Sequence, residues 1–194
     1  MLQRHWVRNG VLAAITLLAS LVAWGQEDLS LCRQGWSSYS AGKYDEAIGL
    51  YAQCMQAGKL TPENMAKSHR NLGMAYNAKK DNSRAIDAYN QSLALKPEDF
   101  WFDYVNRGNA WSDLKDYDKA LADYEVALKA KPDLGSAYYN RGIVYEKLGK
   151  VEQAKADIAL AYAKGYRAPA LLERMAHYQL PVEGSVTVDR NKPN

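Results

Sequence analysis

The chain has 194 residues, of which 47% are hydrophobic and 11% aromatic, and its formal net charge is +3. This composition is sufficient to bury one continuous core. Removing Arg4 and Arg8, which lie in an N-terminal leader, from the 25 basic residues leaves 23 against 22 acidic residues. The sequence also lacks a basic patch with interleaved aromatic residues, which argues against nucleic acid as a partner.

Residues 1–25 have the pattern of a secretory signal peptide. A basic start precedes an apolar run of 14 residues from Val11 to Trp24, shorter than the roughly 20 residues that a membrane-spanning helix needs. Small residues at Ala23 and Gly25 predict cleavage before Gln26. The sequence therefore predicts an exported protein, periplasmic or secreted, with no membrane insertion after cleavage. The alternative is an uncleaved anchor that holds the chain on the same side of the membrane.

The rest of the chain repeats itself. The heptapeptide "VNRGNAW" at 105–111 returns as "YNRGIVY" at 139–145, and fainter copies occur earlier. Each copy has a glycine, an alanine twelve residues later and another small residue seven further on. Apolar and small residues recur at intervals of three and four, as in amphipathic helices joined by short turns. The glycines are Gly35, Gly73, Gly108 and Gly142, and the alanines are Ala47, Ala85, Ala120 and Ala154.

This spacing resembles the tetratricopeptide repeat, a helix-turn-helix unit of about 34 residues. The resemblance implies an all-α, right-handed α-solenoid whose four repeats occupy residues 26–167, at about 28–61, 66–99, 101–134 and 135–168. Residues 168–180 are predicted to form a capping helix over the last repeat, because its apolar face would otherwise be exposed. The polar segment 181–194 is predicted to be a disordered tail.

Each glycine is expected to let two helix backbones approach closely, because glycine inside a helix otherwise costs about 1 kcal/mol against alanine. We expect Gly108 to lie against Ala120, with Trp111 and Tyr124 filling the space above and below. Proline is tolerated in the first turn of a helix. The prolines at 62, 97 and 132 are therefore expected to open helices, the first of them with Thr61 as its cap.

Cys32 and Cys54 are an even pair in a chain predicted to be exported. They fall on the two helices of the first repeat, and a hairpin that turns near residue 42 brings them opposite each other. We therefore predict a disulfide between them. The alternative is two buried free cysteines at small-residue positions.

Surface recognition is the function that the resemblance implies, because in this family the first helix of each repeat lines a concave groove. We expect that groove to bind a protein or peptide partner, since asparagine can bond a peptide backbone and aromatic rings offer rigid apolar area. Asn106 and Asn140 have the alternative role of hydrogen bonding between repeats. The predicted groove residues are Trp36, Tyr39, Arg70, Met74, Asn77, Asn106, Asn109, Asp113, Tyr139, Asn140, Ile143 and Lys147.

Family members that grip a C-terminal carboxylate need particular residues at set groove positions. Arg70, Asn106 and Asn140 match that set in part, but Met74 and Ser136 stand where the clamp requires an asparagine and a lysine. Recognition of a cytosolic chaperone tail is therefore not expected.

No catalytic, metal or cofactor site is predicted. Outside the leader the histidines are His69 and His177, which lie in separate elements without metal-ligand spacing. No phosphate loop, serine elbow or CxxC pair occurs. A second hypothesis makes the chain a structural subunit or assembly factor of an envelope complex, or a homodimer, that uses its convex face and residues 168–180.

Overall fold

The computed structural model describes residues 29–182. The predicted signal peptide or anchor and nearly all of the predicted tail lie outside these residues. Within residues 29–182 the chain forms helices and no strand. The helices are α1 (Ser30–Ser40), α2 (Tyr44–Gln56), α3 (Pro62–Ala78), α4 (Asn82–Ala94), α5 (Trp101–Asp113), α6 (Tyr117–Ala130), α7 (Gly135–Lys147), α8 (Val151–Ala163) and α9 (Pro169–His177).

The first eight helices form four hairpins, each with a three-residue turn between its members. The closest packing is within a hairpin, and the second helix of each hairpin then packs on the first helix of the next. The first helices α1, α3, α5 and α7 also contact one another in sequence, whereas within residues 29–182 the second helices make no comparable contact. The first helices therefore line the inner side of a curved stack, and the predicted α-solenoid is confirmed.

The glycines of the repeat make room for an aromatic ring. A Cβ added to Gly73 would lie 2.6 Å from Cε1 of Tyr89, and one added to Gly108 would lie 2.8 Å from Cε1 of Tyr124. Both tyrosine rings are fully buried. The three atoms nearest to a Cβ at Gly108 all belong to Tyr124, so the missing side chain makes room for the ring that the sequence predicts beside this contact. In the fourth hairpin Ile158 replaces the tyrosine.

The turns within the hairpins share one backbone geometry. Their middle residue has a positive φ in every hairpin, at Gly42, Lys80, Lys115 and Gly149. This left-handed residue ends the first helix and lets the next begin after one further residue. The two lysines adopt a conformation that side chains disfavour and glycine tolerates.

Of the three prolines that the sequence predicts at the start of a helix, one lies there. Pro62 begins α3, and the Thr61 side chain accepts a hydrogen bond from the Asn64 N–H at 3.3 Å. Pro97 and Pro132 instead lie in the connections before α5 and α7. Residues 62–65, between the first and second predicted repeats, form the beginning of α3, which is 17 residues long.

Each end of the stack has one additional stabilising feature, a disulfide at the N-terminal end and a packed helix at the C-terminal end. Cys32 on α1 and Cys54 on α2 form a disulfide with their Cα atoms 5.4 Å apart, the pairing that the sequence predicts. At the other end α9 lies within the segment 168–180 and packs on α8. Its residues Leu171 and Met175 are buried together with Ile158.

Candidate functional site

Among residues 29–182 a cleft lies near each end of the stack on its concave side, and both clefts are lined mainly by side chains of the first helices. We name them the N-terminal cleft and the C-terminal cleft. Trp36, Asp113 and Lys147 are exposed in these clefts, so a partner can reach them.

The C-terminal cleft has a volume of about 310 Å³ and lies between α5, α7 and α9. It brings together six of the predicted groove residues, together with Arg174 from α9. Its walls combine amide, charged and aromatic groups. The residues that line it are Asn109, Ser112, Asp113, Tyr124, Tyr139, Asn140, Ile143, Lys147 and Arg174.

Asn109 is the centre of a hydrogen-bond network in this cleft. Its Oδ1 accepts from the Tyr124 hydroxyl at 2.7 Å and from Asn140 Nδ2 at 2.8 Å. Burial raises the pKa of Tyr124, so its hydroxyl stays protonated and available as the donor. Asn140 thus makes the inter-repeat hydrogen bond that was the alternative to partner contact, while its side chain still lines the cleft.

Arg174 is a cleft residue that the sequence did not single out. It donates from Nε to Glu146 at 2.9 Å and from an Nη to the Tyr139 hydroxyl at 3.1 Å. Burial works against its charge, but the hydrogen bond to Glu146 and the attraction of Glu146 and the neighbouring tyrosines together raise the pKa of Arg174. Glu146 also accepts from the Tyr178 hydroxyl at 2.9 Å. These bonds fix α9 as a wall of the cleft as well as a cover for the last hairpin.

The N-terminal cleft also has a volume of about 310 Å³ and lies between α1 and α3. Trp36 is 48% exposed there, and its ring stacks on Tyr39 with centroids 5.4 Å apart. Tyr39 in turn packs on buried residues of the first hairpin. This cleft carries basic residues and no acidic one among its lining: Leu29, Cys32, Arg33, Trp36, Asn64, Lys67, Ser68 and Asn71.

Arg70 is not a groove residue, contrary to the prediction. It is 8% exposed, and its guanidinium donates to Asp103 at 2.7 and 3.0 Å and to Asp99 at 2.7 Å. Burial works against its charge, but these hydrogen bonds outweigh it and raise the pKa of Arg70. The bonds from Arg70 lower the pKa of Asp99, whereas burial raises the pKa of Asp103. Arg70 therefore joins the second hairpin to the third.

The remaining predicted groove residues lie outside the lining of either cleft. Met74 packs against the buried cluster of the second hairpin. Asn77 donates to Asn82 at 3.0 Å, so its amide joins α3 to α4. Asn106 is half-buried on α5.

The part of the chain that the structure describes was compared with the geometry that a metal site requires and with the length that a membrane span requires. Among residues 29–182 no group of histidine, cysteine and acidic side chains has the geometry to hold a metal ion. None of the helices in this range is sufficiently long and apolar to cross a membrane. What the two clefts offer is shape, hydrogen bonding and aromatic area.

A curved stack of short helical hairpins defines the chain as an α-helical repeat protein. Models of the tetratricopeptide repeat match residues 37–98 and 136–164, and a model described as TPR repeat matches residues 108–149. The chain belongs to the tetratricopeptide repeat family.

Solved structures share this fold. The first TPR of Spaghetti (RPAP3), bound to the HSP90 peptide SRMEEVD, is 30% identical with a TM-score of 0.58, and the match covers 64% of this chain and 98% of that one. The second TPR domain of human RPAP3, in complex with the HSP70 peptide SGPTIEEVD, is 23% identical with a TM-score of 0.55, covering 61% and 94%. A crystal structure of MamA is 23% identical with a TM-score of 0.62, covering 82% and 87%. A search of curated proteins gave no match.

Proposed function

We propose that this protein is an exported, non-enzymatic scaffold that binds a peptide or protein partner on its concave side. The observation that carries the proposal is the pair of clefts on the inner helices, in which exposed side chains such as Trp36, Asp113 and Lys147 lie beside hydrogen-bonding and aromatic groups. The Spaghetti structure supports it, because that chain has the same fold and holds a peptide.

The distribution of exposed side chains favours partner binding in the clefts over assembly through the outer face. Trp36 is the kind of large, rigid side chain that dominates binding energy at interfaces, and it lies in the N-terminal cleft. On the second helices the large exposed apolar residues include Val126 and Leu160, which are 40% and 39% exposed. Scattered residues of this kind are normal on a soluble surface.

Export is the part of the proposal that rests on the leader sequence. The Cys32–Cys54 disulfide supports it, since disulfides persist in oxidising compartments and are rare in the cytosol. The test is N-terminal sequencing of the mature protein from fractionated source cells. A first residue of Gln26 in a periplasmic or secreted fraction is expected, and an intact N-terminus in the cytosol would contradict export.

Partner binding is tested by crosslinking and capture from an envelope extract. The wild-type chain is compared with Trp36→Ala in the N-terminal cleft and Lys147→Glu in the C-terminal cleft. Lys129→Glu on α6 is the matched control, because it makes the same charge change on an exposed residue of a second helix. We expect the cleft variants to capture fewer proteins than the wild type does. The control variant should capture the same proteins as the wild type.

The alternative, a structural subunit that assembles through its outer face, gives the opposite pattern. Leu160→Ser on α8 and Leu172→Ser on α9 would then abolish capture or lower the molecular mass of the complex, while Trp36→Ala and Lys147→Glu would leave both unchanged. That outcome would replace the proposal of groove binding.

A further inference from the structure

Cys32 places one sulfur of the disulfide in the N-terminal cleft. Cys32 is half-buried and lines that cleft, and its Sγ lies 3.0 Å from Oγ of Ser68, another lining residue. Cys54, in contrast, is 0% exposed. A reagent that enters the cleft can therefore reach the sulfur of Cys32 and not that of Cys54.

The charges beside Cys32 favour an anionic reagent. Arg33 and Lys67 are exposed in the lining of the cleft, whereas Glu63, which pairs with Lys67 at 3.2 Å, does not belong to that lining. Positive charge stabilises a thiolate, which is the form of a thiol that attacks a disulfide. The cleft therefore combines a sulfur that can be attacked with a field that attracts the attacking species.

The helix that carries Cys32, α1, has little else to hold it in place. Its buried residues are Gly35 and Ser38, and Tyr39 packs on the first hairpin while only half-buried. With 11 residues, α1 is shorter than an isolated helix needs to be stable in water. Ser37 is exposed, whereas the later repeats bury an apolar residue at the same position: Ala75, Ala110 and Val144. The disulfide is therefore a main anchor of α1.

We propose that the N-terminal cleft is a thiol–disulfide exchange site, and that reduction there releases α1 and opens the cleft. A thiolate forms a bond to Sγ of Cys32 while the Cys32–Cys54 bond breaks. The electron pair of that bond remains on the sulfur of Cys54, which takes up a proton from water. A second thiol then attacks the mixed disulfide, so that two thiols become one disulfide and both cysteines become thiols. The reagent is a thiol reductant, either a small thiol or the dithiol of a protein.

The exchange chemistry is independent of partner binding, whereas its consequence for a partner rests on the proposed function. Trp36 lies on α1, one helical turn after Cys32, and is exposed in the same cleft. When α1 separates from α2, the cleft loses one wall and Trp36 with it. Reduction thus removes binding at the N-terminal cleft and leaves the C-terminal cleft in place.

The first test identifies the sulfur that is attacked, and it uses the oxidised wild-type protein without denaturant. Reduced glutathione is added, the reaction is quenched with acid at early times, and free thiols are alkylated after unfolding. Mass spectrometry then locates both modifications. We expect glutathione on Cys32 and the alkyl group on Cys54. Glutathione on Cys54, or no exchange until denaturant is added, would overturn the proposal.

The source of the thiol is distinguished by comparing glutathione with reduced thioredoxin at equal thiol concentration. Reduction of the native disulfide by either reagent supports the proposal. The faster reagent shows whether the cleft admits a small thiol or the dithiol of a protein. Failure of both reagents would contradict an accessible exchange site.

Lys67→Glu tests the contribution of charge. The rate of exchange with glutathione, an anion, is divided by the rate with cysteamine, a cation, which cancels any difference in overall accessibility between variants. We expect Lys67→Glu to lower this ratio at least about threefold. Lys129→Glu, the same change on an exposed residue of α6, is the matched control and should leave the ratio unchanged. An equal ratio in all three proteins would contradict selection of an anionic thiol.

Hydrogen exchange measures the release of α1. Reduction of the wild type with a phosphine, which contains no thiol, should accelerate amide exchange of residues 30–40 at least about tenfold, and more than that of α5 to α8. The double variant Cys32→Ser, Cys54→Ser is the control, because the phosphine should not change its exchange. If α1 exchanges equally slowly before and after reduction of the wild type, the proposal fails.

These outcomes separate the inference from the function on which its consequence rests. If reduction opens α1 but neither reduction nor Trp36→Ala changes the captured proteins, the exchange site stands and partner binding at the N-terminal cleft is wrong. If α1 stays closed in the reduced protein, the inference fails even where Trp36→Ala lowers capture.

Discussion

The ring of Tyr124 lies where a side chain on Gly108 would be, with its Cε1 2.8 Å from the position of the missing Cβ. The same relationship joins Gly73 to Tyr89 and Gly35 to Tyr51. It explains why the repeat needs a glycine inside a helix, where glycine is unfavourable by about 1 kcal/mol. The glycine lets one ring from the second helix reach the backbone of the first.

Gly108→Ala is therefore expected to destabilise the protein although alanine is the better helix former. Overpacking costs about 1 to 3 kcal/mol, and the ring of Tyr124 is buried, so it has little room to move. Urea unfolding followed by circular dichroism measures the change. Gly49→Ala on α2 is the control, since nothing lies within 4 Å of a Cβ at Gly49. We expect the control to stabilise by up to about 1 kcal/mol, and two changes of the same sign would contradict this account.

Asp103→Ala is expected to be among the most damaging substitutions. Asp103 is fully buried and accepts two hydrogen bonds from Arg70, and breaking a buried pair costs about 3 to 5 kcal/mol. Asp45→Ala is the comparison, because Asp45 pairs with Lys79 on the surface, where an ion pair contributes about 1 kcal/mol or less. Equal losses of unfolding free energy in the two variants would show that Arg70 does not depend on Asp103.

Removing the disulfide with Cys32→Ser and Cys54→Ser together is expected to cost about 3 kcal/mol, by the chain-entropy argument for a loop of this length. The loss should be concentrated in the first hairpin, so hydrogen exchange of α1 and α2 should increase most. Thiol titration of the unreduced wild type after denaturation is the check on the bond itself. Two reactive thiols would exclude it.

Lys115→Gly is expected to stabilise the protein by about 1 kcal/mol, because a residue with a side chain is strained in the left-handed region. Lys115 has a φ of 65° in the turn between α5 and α6. Gly149→Ala at the equivalent turn position, where φ is 71°, should destabilise by a similar amount. Thermal melts of both variants should shift in opposite directions. If the melting temperatures of both variants shifted in the same direction, the left-handed backbone at this turn position would not be what determines their stability.

His69 is expected to make the protein less stable as the pH falls. Burial lowers the pKa of His69 below its ordinary value of 6.5, so the unfolded chain takes up a proton at a pH where the folded chain does not. The unfolded state then binds more protons, and stability decreases as the pH falls through the unfolded value. Between about pH 7.5 and about pH 5.5 the melting temperature of wild type should therefore drop more than that of His69→Gln. Equal drops would mean that His69 titrates alike in both states.

The repeat spacing was sufficient to predict the helices, the hairpins and the solenoid, because these follow from local periodicity. It did not identify which side chain lies nearest to each glycine. Ala120 and Tyr124 lie four residues apart on one face of α6, and the sequence does not say which of them reaches Gly108. The structure shows that the ring does.

The candidate site was predicted where it depends on one helix and missed where it depends on two distant segments. Arg70 has the right position for the groove, but Asp99 in the connection before α5 and Asp103 on α5 bury it. A signal was present, since Asp103 occupies a position that holds Ser68 and Ala137 in the neighbouring repeats. Arg174 lies outside the repeats, so no equivalent position indicated that it would reach Glu146.

In a linear array each unit touches only its neighbours, so the terminal units have one interface fewer and tend to open first. The disulfide between Cys32 and Cys54 supplies a covalent link at one end, and the buried side chains of α9 supply a hydrophobic one at the other. Peeling from either end is thereby suppressed. A partner that occupies both clefts must therefore match the distance at which the stacked hairpins hold them.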